Sequence, residues 1–226
     1  MAYKYALHFD GINNYAYSNA NSGIAGAMSW TMELWQKAHV IINNGTLSSI
    51  GTIAGGNVTA IQHATNDHLV FMNLWSGSNY SVDIAPTDLD AGWVHIALTS
   101  DQTYLKLYIN GVLKDTSGKP QASYTASPVR LGGQPAGYAG QYGHVLLNEF
   151  RLWNDVRTIE EIVANMYKPL VGNEAGLILN YRINEGTGTV LTDKSASANN
   201  GTINGATWVT DAAPMKVPSG GFFLFM

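Results

Sequence analysis

Between Gly137 and His144 the chain reads Gly-Tyr-Ala-Gly-Gln-Tyr-Gly-His, which sets Tyr138 and Tyr142 among glycines beside Gln141 and His144. Rings of this kind cover the apolar C–H face of a hydroxyl-rich ligand, while amide, imidazole and phenol groups exchange hydrogen bonds with its hydroxyls. A second set, Trp75, Asn79 and Tyr80, flanks or lies in Ser76-Gly77-Ser78-Asn79, which reads as a hairpin loop. The chemistry open to both sets is reversible recognition of a polar ligand from loops at one rim of a scaffold. The plain alternative puts Trp75 in the core and lays the tyrosines flat on the surface. Oxygen-rich turns at Asp10-Gly11 and from Asp193 to Gly201 offer a different chemistry, since calcium takes several carboxylate, amide and backbone oxygens. Asp193, with Asp10 and Asn200, is the expected set for a structural calcium, against ordinary turns in which Asp and Asn bond nearby backbone.

Covalent chemistry has fewer footholds. The 226 residues contain no cysteine, which excludes disulfides, thiolate metal sites and cysteine nucleophiles. There is no Gly-x-Ser-x-Gly elbow, no phosphate-cradling loop ending in Lys-Ser/Thr and no His-Glu-x-x-His. The six histidines are scattered and read as core or surface residues rather than ligands. A formal net charge of −4 leaves no basic field for a phosphate backbone, so nucleic acid is excluded as a partner and acidic polysaccharides are disfavoured. No stretch approaches the roughly 18 apolar residues of a helical membrane span, so membrane insertion is not expected. The opening MAYKYALHFDG lacks the apolar run of a signal peptide.

The elements that must position these residues are strands. Val94, Ile96 and Leu98 alternate with polar neighbours; after Ser100-Asp101-Gln102-Thr103 the alternation resumes at Leu105, Leu107 and Ile109. Asn110-Gly111 supplies the positive-φ pair of a tight hairpin, and Val112-Leu113-Lys114 leads away as a third strand. Similar alternation marks Tyr5 to Phe9, Tyr15 and Tyr17, and Leu146 to Trp153, the last read as uninterrupted. Trp30 to Lys37 carries large residues on both faces, as expected inside a two-layer sandwich. Trp30, Trp35, Trp93, Trp153 and Trp208 are assigned to the core. Thr158 and Glu161 have capping-box spacing ahead of Ile162, Val163 and Met166, and Pro169 follows, so one short helix is expected near 158–167. Glycine-rich turns, with 24 glycines in all, separate about a dozen strands.

Several phrases resemble one family. Ala6 to Gly11 with Tyr15, Trp30 to Trp35, Trp93 to Ala97 with Leu107 to Gly111, Asn148 to Asn154 with Arg157 to Ile162, and Gly176 to Gly201 are similar to laminin-G-like, concanavalin-A-like jelly-roll domains, in an outline shared with pentraxins. The resemblance implies an all-β, two-sheet antiparallel jelly-roll sandwich, one domain over 1–226 with a short apolar tail at 214–226. It implies an extracellular or surface setting. Glycan-cleaving relatives of this fold carry two or three carboxylates on one strand, about 5 Å apart. Here Glu149 is followed by Arg151, with Asp155 beyond it. The Gln-x-His strand of lyase relatives is also missing, since Gln62 and His63 are adjacent. The loop Gly133-Gln134-Pro135-Ala136-Gly137 lacks the acidic residues that bind paired calcium ions in pentraxins.

The expected function is therefore a non-catalytic, lectin-like carbohydrate-binding module with Ca2+ in a structural role, whose partner is a glycan or glycoprotein. A structural or adhesive interaction protein is the alternative, in which Phe222-Phe223-Leu224-Phe225 docks on another chain, including a homo-oligomer partner. A glycan-active enzyme is the third reading.

Overall fold

The computed structural model describes residues 3–40, 44–52, 57–63, 69–75, 78–80, 92–118, 123–134 and 140–216. Its strands, in chain order, are β1 (Ala6–Asp10), β2 (Tyr15–Ser18), β3 (Trp30–Val40), β4 (Thr46–Thr52), β5 (Asn57–His63), β6 (Leu69–Trp75), β7 (Ser78–Tyr80) and β8 (Val94–Ser100). Then follow β9 (Tyr104–Ile109), β10 (Val112–Gly118), β11 (Arg130–Leu131), β12 (His144–Trp153), β13 (Leu177–Tyr181), β14 (Val190–Leu191), β15 (Gly201–Asn204) and β16 (Thr207–Val209). Helix α1 (Ile159–Asn165) lies between β12 and β13. The apolar terminus from Phe222 to Phe225 lies outside the described residues.

The strands form two antiparallel sheets, stacked as a jelly-roll sandwich. Sheet A runs β10-β9-β8-β3-β12-β1-β16, with β13 also paired to β12; sheet B runs β14-β15-β2-β11-β4-β5-β6-β7. The alternation read around residues 94–114 has its expected cause. Val94, Ile96, Leu98, Leu105, Leu107 and Ile109 all point into one core with Phe9, Trp30, Met32, Leu34 and Leu131. Asn110 and Gly111 turn the chain at φ 49° and 77°, the left-handed pair that matches the strand twist. Each such buried aliphatic or phenyl side chain stabilises the fold by about 1.5–3 kcal/mol.

Strand β12 departs from the uninterrupted alternation. Asn148 sits opposite Trp35 but Arg151 opposite Glu33, so one extra residue is inserted between them. Glu149 absorbs the bulge at φ 49°. Leu147, Phe150 and Leu152 therefore face the core together, while Glu149 and Arg151 both leave it.

The outer face of sheet A is covered, which is why β8 and β12 are buried on both sides. Thr158 caps α1 in a capping box with Glu161, as its spacing predicts. Ile162 packs on Ala97 and Tyr108, while Leu170 packs on Trp153 and Leu177. The Trp35 indole N–H donates to Met166 O at 2.8 Å. Trp93 and Trp208 correct their core assignment: both are half-buried, with indole N–H groups donating to Asp211 Oδ1 at 2.8 Å and Gly188 O at 2.9 Å. An indole at a border keeps its polar edge satisfied and only its ring against apolar neighbours.

Beneath the cover lies a buried ionic cluster. Arg151 Nε and Nη2 donate to Glu149 Oε2 at 3.1 and 2.7 Å, and Tyr3 donates to Glu149 Oε1. Arg151 also donates to the carbonyls of Asn165 (3.0 Å) and Lys168 (2.6 Å), tying the cover to the sheet. Glu33 accepts the Trp153 indole N–H at 2.7 Å, and His95 Nε2 lies 3.3 Å from its other oxygen.

Candidate functional site

The outer face of sheet B is built differently. In β2 the backbone alternation turns Ala16 into the core and leaves Tyr15 and Tyr17 half-buried on the opposite side. Strand β11 pairs with β2 in the register Arg130↔Tyr17, and its own alternation sends Val129 and Leu131 inward and Arg130 outward. The two tyrosine rings lie 6.0 Å apart with 37° between their planes. The Arg130 guanidinium sits 4.3 Å over the Tyr15 ring centroid.

With Gly51, Thr52, Ser127 and Pro128 these three residues line a cavity of about 350 Å3. Its floor is pinned where the Gly51 N–H donates to Ser127 Oγ at 2.8 Å, which commits that hydroxyl to the scaffold. Gly51, at φ 98°, takes up a backbone conformation that a side chain would disfavour, and so leaves the space open. Among the described residues no carboxylate lines the cavity.

Tyr142 extends the same face. Its ring lies over Gly133, where a Cβ would come within 3.3 Å of Tyr142 Cδ1 and 3.4 Å of Tyr15 Cβ. Glycine at 133 thus leaves room for both the Tyr142 ring and the Tyr15 side chain, which sets a third tyrosine next to the pair. Of the residues expected from the sequence, Tyr142 is the one that lies next to this pair.

The rest of the expected set is dispersed. Gln141 is drawn inward: its Oε1 accepts from Gln62 Nε2 at 3.0 Å and from Gln134 Nε2 at 2.9 Å. His144 begins β12 in sheet A, opposite Asp10, with its ring 5.4 Å from that of His8. Tyr142 by contrast bridges to Thr46 of sheet B. The loop therefore crosses between sheets, and residues two apart in sequence end on different layers. Tyr138 lies outside the described residues. Trp75, Asn79 and Tyr80 belong to β6 and β7 at the far edge of sheet B, with Trp75 opposite Ser78, Leu74 opposite Asn79 and Asn73 opposite Tyr80. Their side chains lie outside the described residues.

The turn carboxylate at 193 is already fully used. Asp193 Oδ1 accepts from the backbone N–H groups of Asn180 (2.9 Å) and Ser195 (2.8 Å), while Oδ2 accepts from Ser195 Oγ and Asn199 N–H, both at 2.8 Å. Asn200 Oδ1 accepts the Asp193 N–H at 3.0 Å, and Asp10 Oδ1 accepts the Ile12 N–H at 2.9 Å. No group of three His, Asp or Glu side chains converges among the described residues. The four donors on Asp193 take up the lone-pair directions of that carboxylate, which leaves it none to offer a cation. Accordingly, addition of calcium followed by a chelator is expected to move the melting temperature by less than about 2 °C, on the scale where 1 kcal/mol is about 2–4 °C. A calcium-dependent rise of several degrees would overturn this reading of Asp193.

Sequence reasoning passed over Tyr15, Tyr17 and Arg130 as binding residues. The signal present was the Tyr-x-Tyr spacing, which puts both rings on one side of a strand. Nothing local pointed to Arg130, which reaches them only through the β2–β11 pairing.

The resemblance noted above is supported by comparison with known proteins. Residues 10–163 match the laminin G profile described as the concanavalin A-like lectin/glucanases superfamily. A solved structure from Bacteroides ovatus, a protein to which carbohydrate binding has been ascribed, is similar with a TM-score of 0.74 at 25% identity, over 96% of this chain and 62% of its own. This chain thus spans less than two thirds of that relative's length. A native heptameric SAP-like pentraxin from Limulus polyphemus is similar at TM-score 0.57 and 15% identity, over 71% of this chain and 80% of its own. Mouse laminin alpha1 domains LG4-5 give 0.56 and 12%, over 82% of this chain and 50% of that one. The last two likenesses concern the fold alone. No curated protein sequence matches the chain. With two thirds of its length in the profile and the two-sheet architecture in place, the chain belongs to the concanavalin A-like lectin/glucanase superfamily, in its laminin G group.

Proposed function

We propose that this chain is a non-catalytic carbohydrate-binding module whose site is the tyrosine pair and cleft on the outer face of sheet B. The observation that carries the reading is a cavity of about 350 Å3 flanked by two half-buried tyrosines on a rigid sheet. Among the described residues neither of their hydroxyls has a hydrogen-bond partner. Such rings cover the C–H faces of a sugar while their hydroxyls and the Arg130 N–H groups meet its oxygens. Membership of the lectin/glucanase superfamily and the function ascribed to the Bacteroides relative support the same conclusion.

The non-catalytic part rests on where the carboxylates lie. Among the described residues the cavity lining has none, and Glu149 and Glu33 are buried under the cover of sheet A, Glu149 bound to Arg151 and Glu33 to Trp153. A glycosidase needs two carboxyl groups flanking the scissile bond, within reach of substrate.

Titration calorimetry against oligosaccharides chosen from a broad glycan array tests the site. Tyr17→Ala is expected to weaken binding about two- to tenfold, the loss of one aromatic contact of about 0.5–1.5 kcal/mol at tenfold per 1.4 kcal/mol. Its melting temperature serves as the folding control. Absence of any glycan ligand would overturn the function; a Tyr17→Ala protein that is folded and binds as tightly as the parent would overturn the site.

A further inference from the structure

We infer that the cleft selects a sugar bearing a carboxylate, and that Arg130 is the residue that reads it; the inference rests on the carbohydrate-binding reading and narrows its ligand. The chain has four arginines, and three of them donate to acceptors of the protein. Arg151 is held by Glu149 and two backbone carbonyls. Arg157 is paired with Asp155 at 3.4 Å and Glu161 at 2.9 Å. Arg182 donates to Leu170 O. Arg130 differs, because among the described residues its guanidinium meets the Tyr15 ring and no acceptor.

That contact matters chemically. A guanidinium stacked on a ring uses its π face, and its five N–H donors point out along the edge of its own plane. The contact of Arg130 over the Tyr15 ring therefore restrains the group without a hydrogen-bond acceptor taking one of its donors. A planar fork of this kind matches a carboxylate with two parallel hydrogen bonds, a geometry that neither a hydroxyl nor an ammonium reproduces. Among the described residues no carboxylate of the lining neutralises the charge in advance. The Tyr15 and Tyr17 hydroxyls stand on the same face to meet the remaining ring oxygens or hydroxyls. The partner that fits is a uronic acid or another carboxylated sugar within an oligosaccharide.

The formal net charge of −4, which disfavours long-range attraction of an acidic polysaccharide, does not prevent contact with a single carboxylate. Net charge governs long-range steering, which is screened beyond about 8 Å at physiological ionic strength, whereas a guanidinium–carboxylate pair forms at contact. Selection here is local to one side chain.

The test uses the whole chain and one oligosaccharide in three forms: a uronate oligomer, the same oligomer with its carboxylates reduced to primary alcohols, and the reduced oligomer carrying sulfate esters. The uronate is expected to bind at least tenfold more tightly than the reduced form, and more tightly than the sulfated one. Arg130→Gln should bring the uronate and reduced forms to within about threefold of each other, and Arg130→Lys, which keeps the charge without the fork, should recover only part of the preference. Melting curves of both variants establish that they fold, and the lysine variant carries the test if the glutamine variant does not. Equal binding of uronate and reduced forms by the parent, or a preference that survives in a folded Arg130 variant, overturns the inference and leaves carbohydrate binding intact. Sulfated sugar bound as tightly as uronate overturns the carboxylate assignment in favour of charge alone. Failure of all three forms, together with all neutral glycans, overturns both this inference and the function on which it rests.

Discussion

Arg151→Ala is expected to destabilise the protein by about 3–5 kcal/mol, the cost of leaving a buried charge without its partner. For a chain of this size that lowers the melting temperature by roughly 10 °C. The guanidinium is fully buried, and its removal strands Glu149, whose carboxylate is 1% exposed and takes both an Nε and an Nη2 donor from it. It also releases the Asn165 and Lys168 carbonyls, so the segment that covers sheet A loses two anchors at once. The double variant Glu149→Gln with Arg151→Met should recover part of the loss, since removing both charges avoids the stranded one. Urea denaturation of the three proteins reads the result. A single variant within about 1 kcal/mol of the parent would show that the cluster does not hold the cover in place.

Acid should cost the protein about 3 kcal/mol between pH 6.5 and 4, through His63. That ring is fully buried, with Nε2 3.2 Å from Gln36 Oε1 and Nδ1 without a partner. Burial pushes its pKa down from 6.5 to about 4, because a charged imidazolium would lose its water there. The unfolded chain takes up a proton near pH 6.5 that the native state refuses until about pH 4. Stability is therefore fully present above about 6.5 and lost as pH falls toward 4, at 1.36 kcal/mol per unit of difference. Glu33 extends the loss at still lower pH. Burial alone would raise its pKa, but the His95 ring, the Arg151 guanidinium and the Trp153 N–H hold it below the ordinary value of 4.5. Urea midpoints measured from pH 7.5 to 4.5 give the slope, and His63→Gln should flatten it. A slope unchanged in a folded His63→Gln protein would assign the acid sensitivity elsewhere.

Much of the architecture was legible because its causes are local. A period of two follows from the pleat of any strand, so Val94 to Ile109 declared a buried face without reference to the rest of the chain. Asn110-Gly111 and the Thr158–Glu161 box are likewise settled within four residues by φ preference and by capping. The family phrases carried the same information, since they consist of core and turn residues. Even here a local rule failed once: the Glu149 bulge shifts half of β12 by a residue, and only pairing with β3 reveals it.

The site was legible only in part, because it depends on which strands become neighbours. The glycine-spaced loop pointed to Tyr142 but could not show that Gln141 turns inward or that His144 belongs to the other sheet. The acidic turn at Asp193 offered calcium chemistry on composition, whereas folding brings four donors to that one carboxylate. Tyr15 and Tyr17 shared a face by spacing alone. Their arginine arrives from a distant part of the chain through one pair of hydrogen-bonded strands, and register across a sheet is fixed by the whole packed core. The sequence by itself determined the jelly-roll class, its turns and its helix; the tertiary structure decided that Arg130 stands over Tyr15, because side chains on separate strands meet only when the strands do.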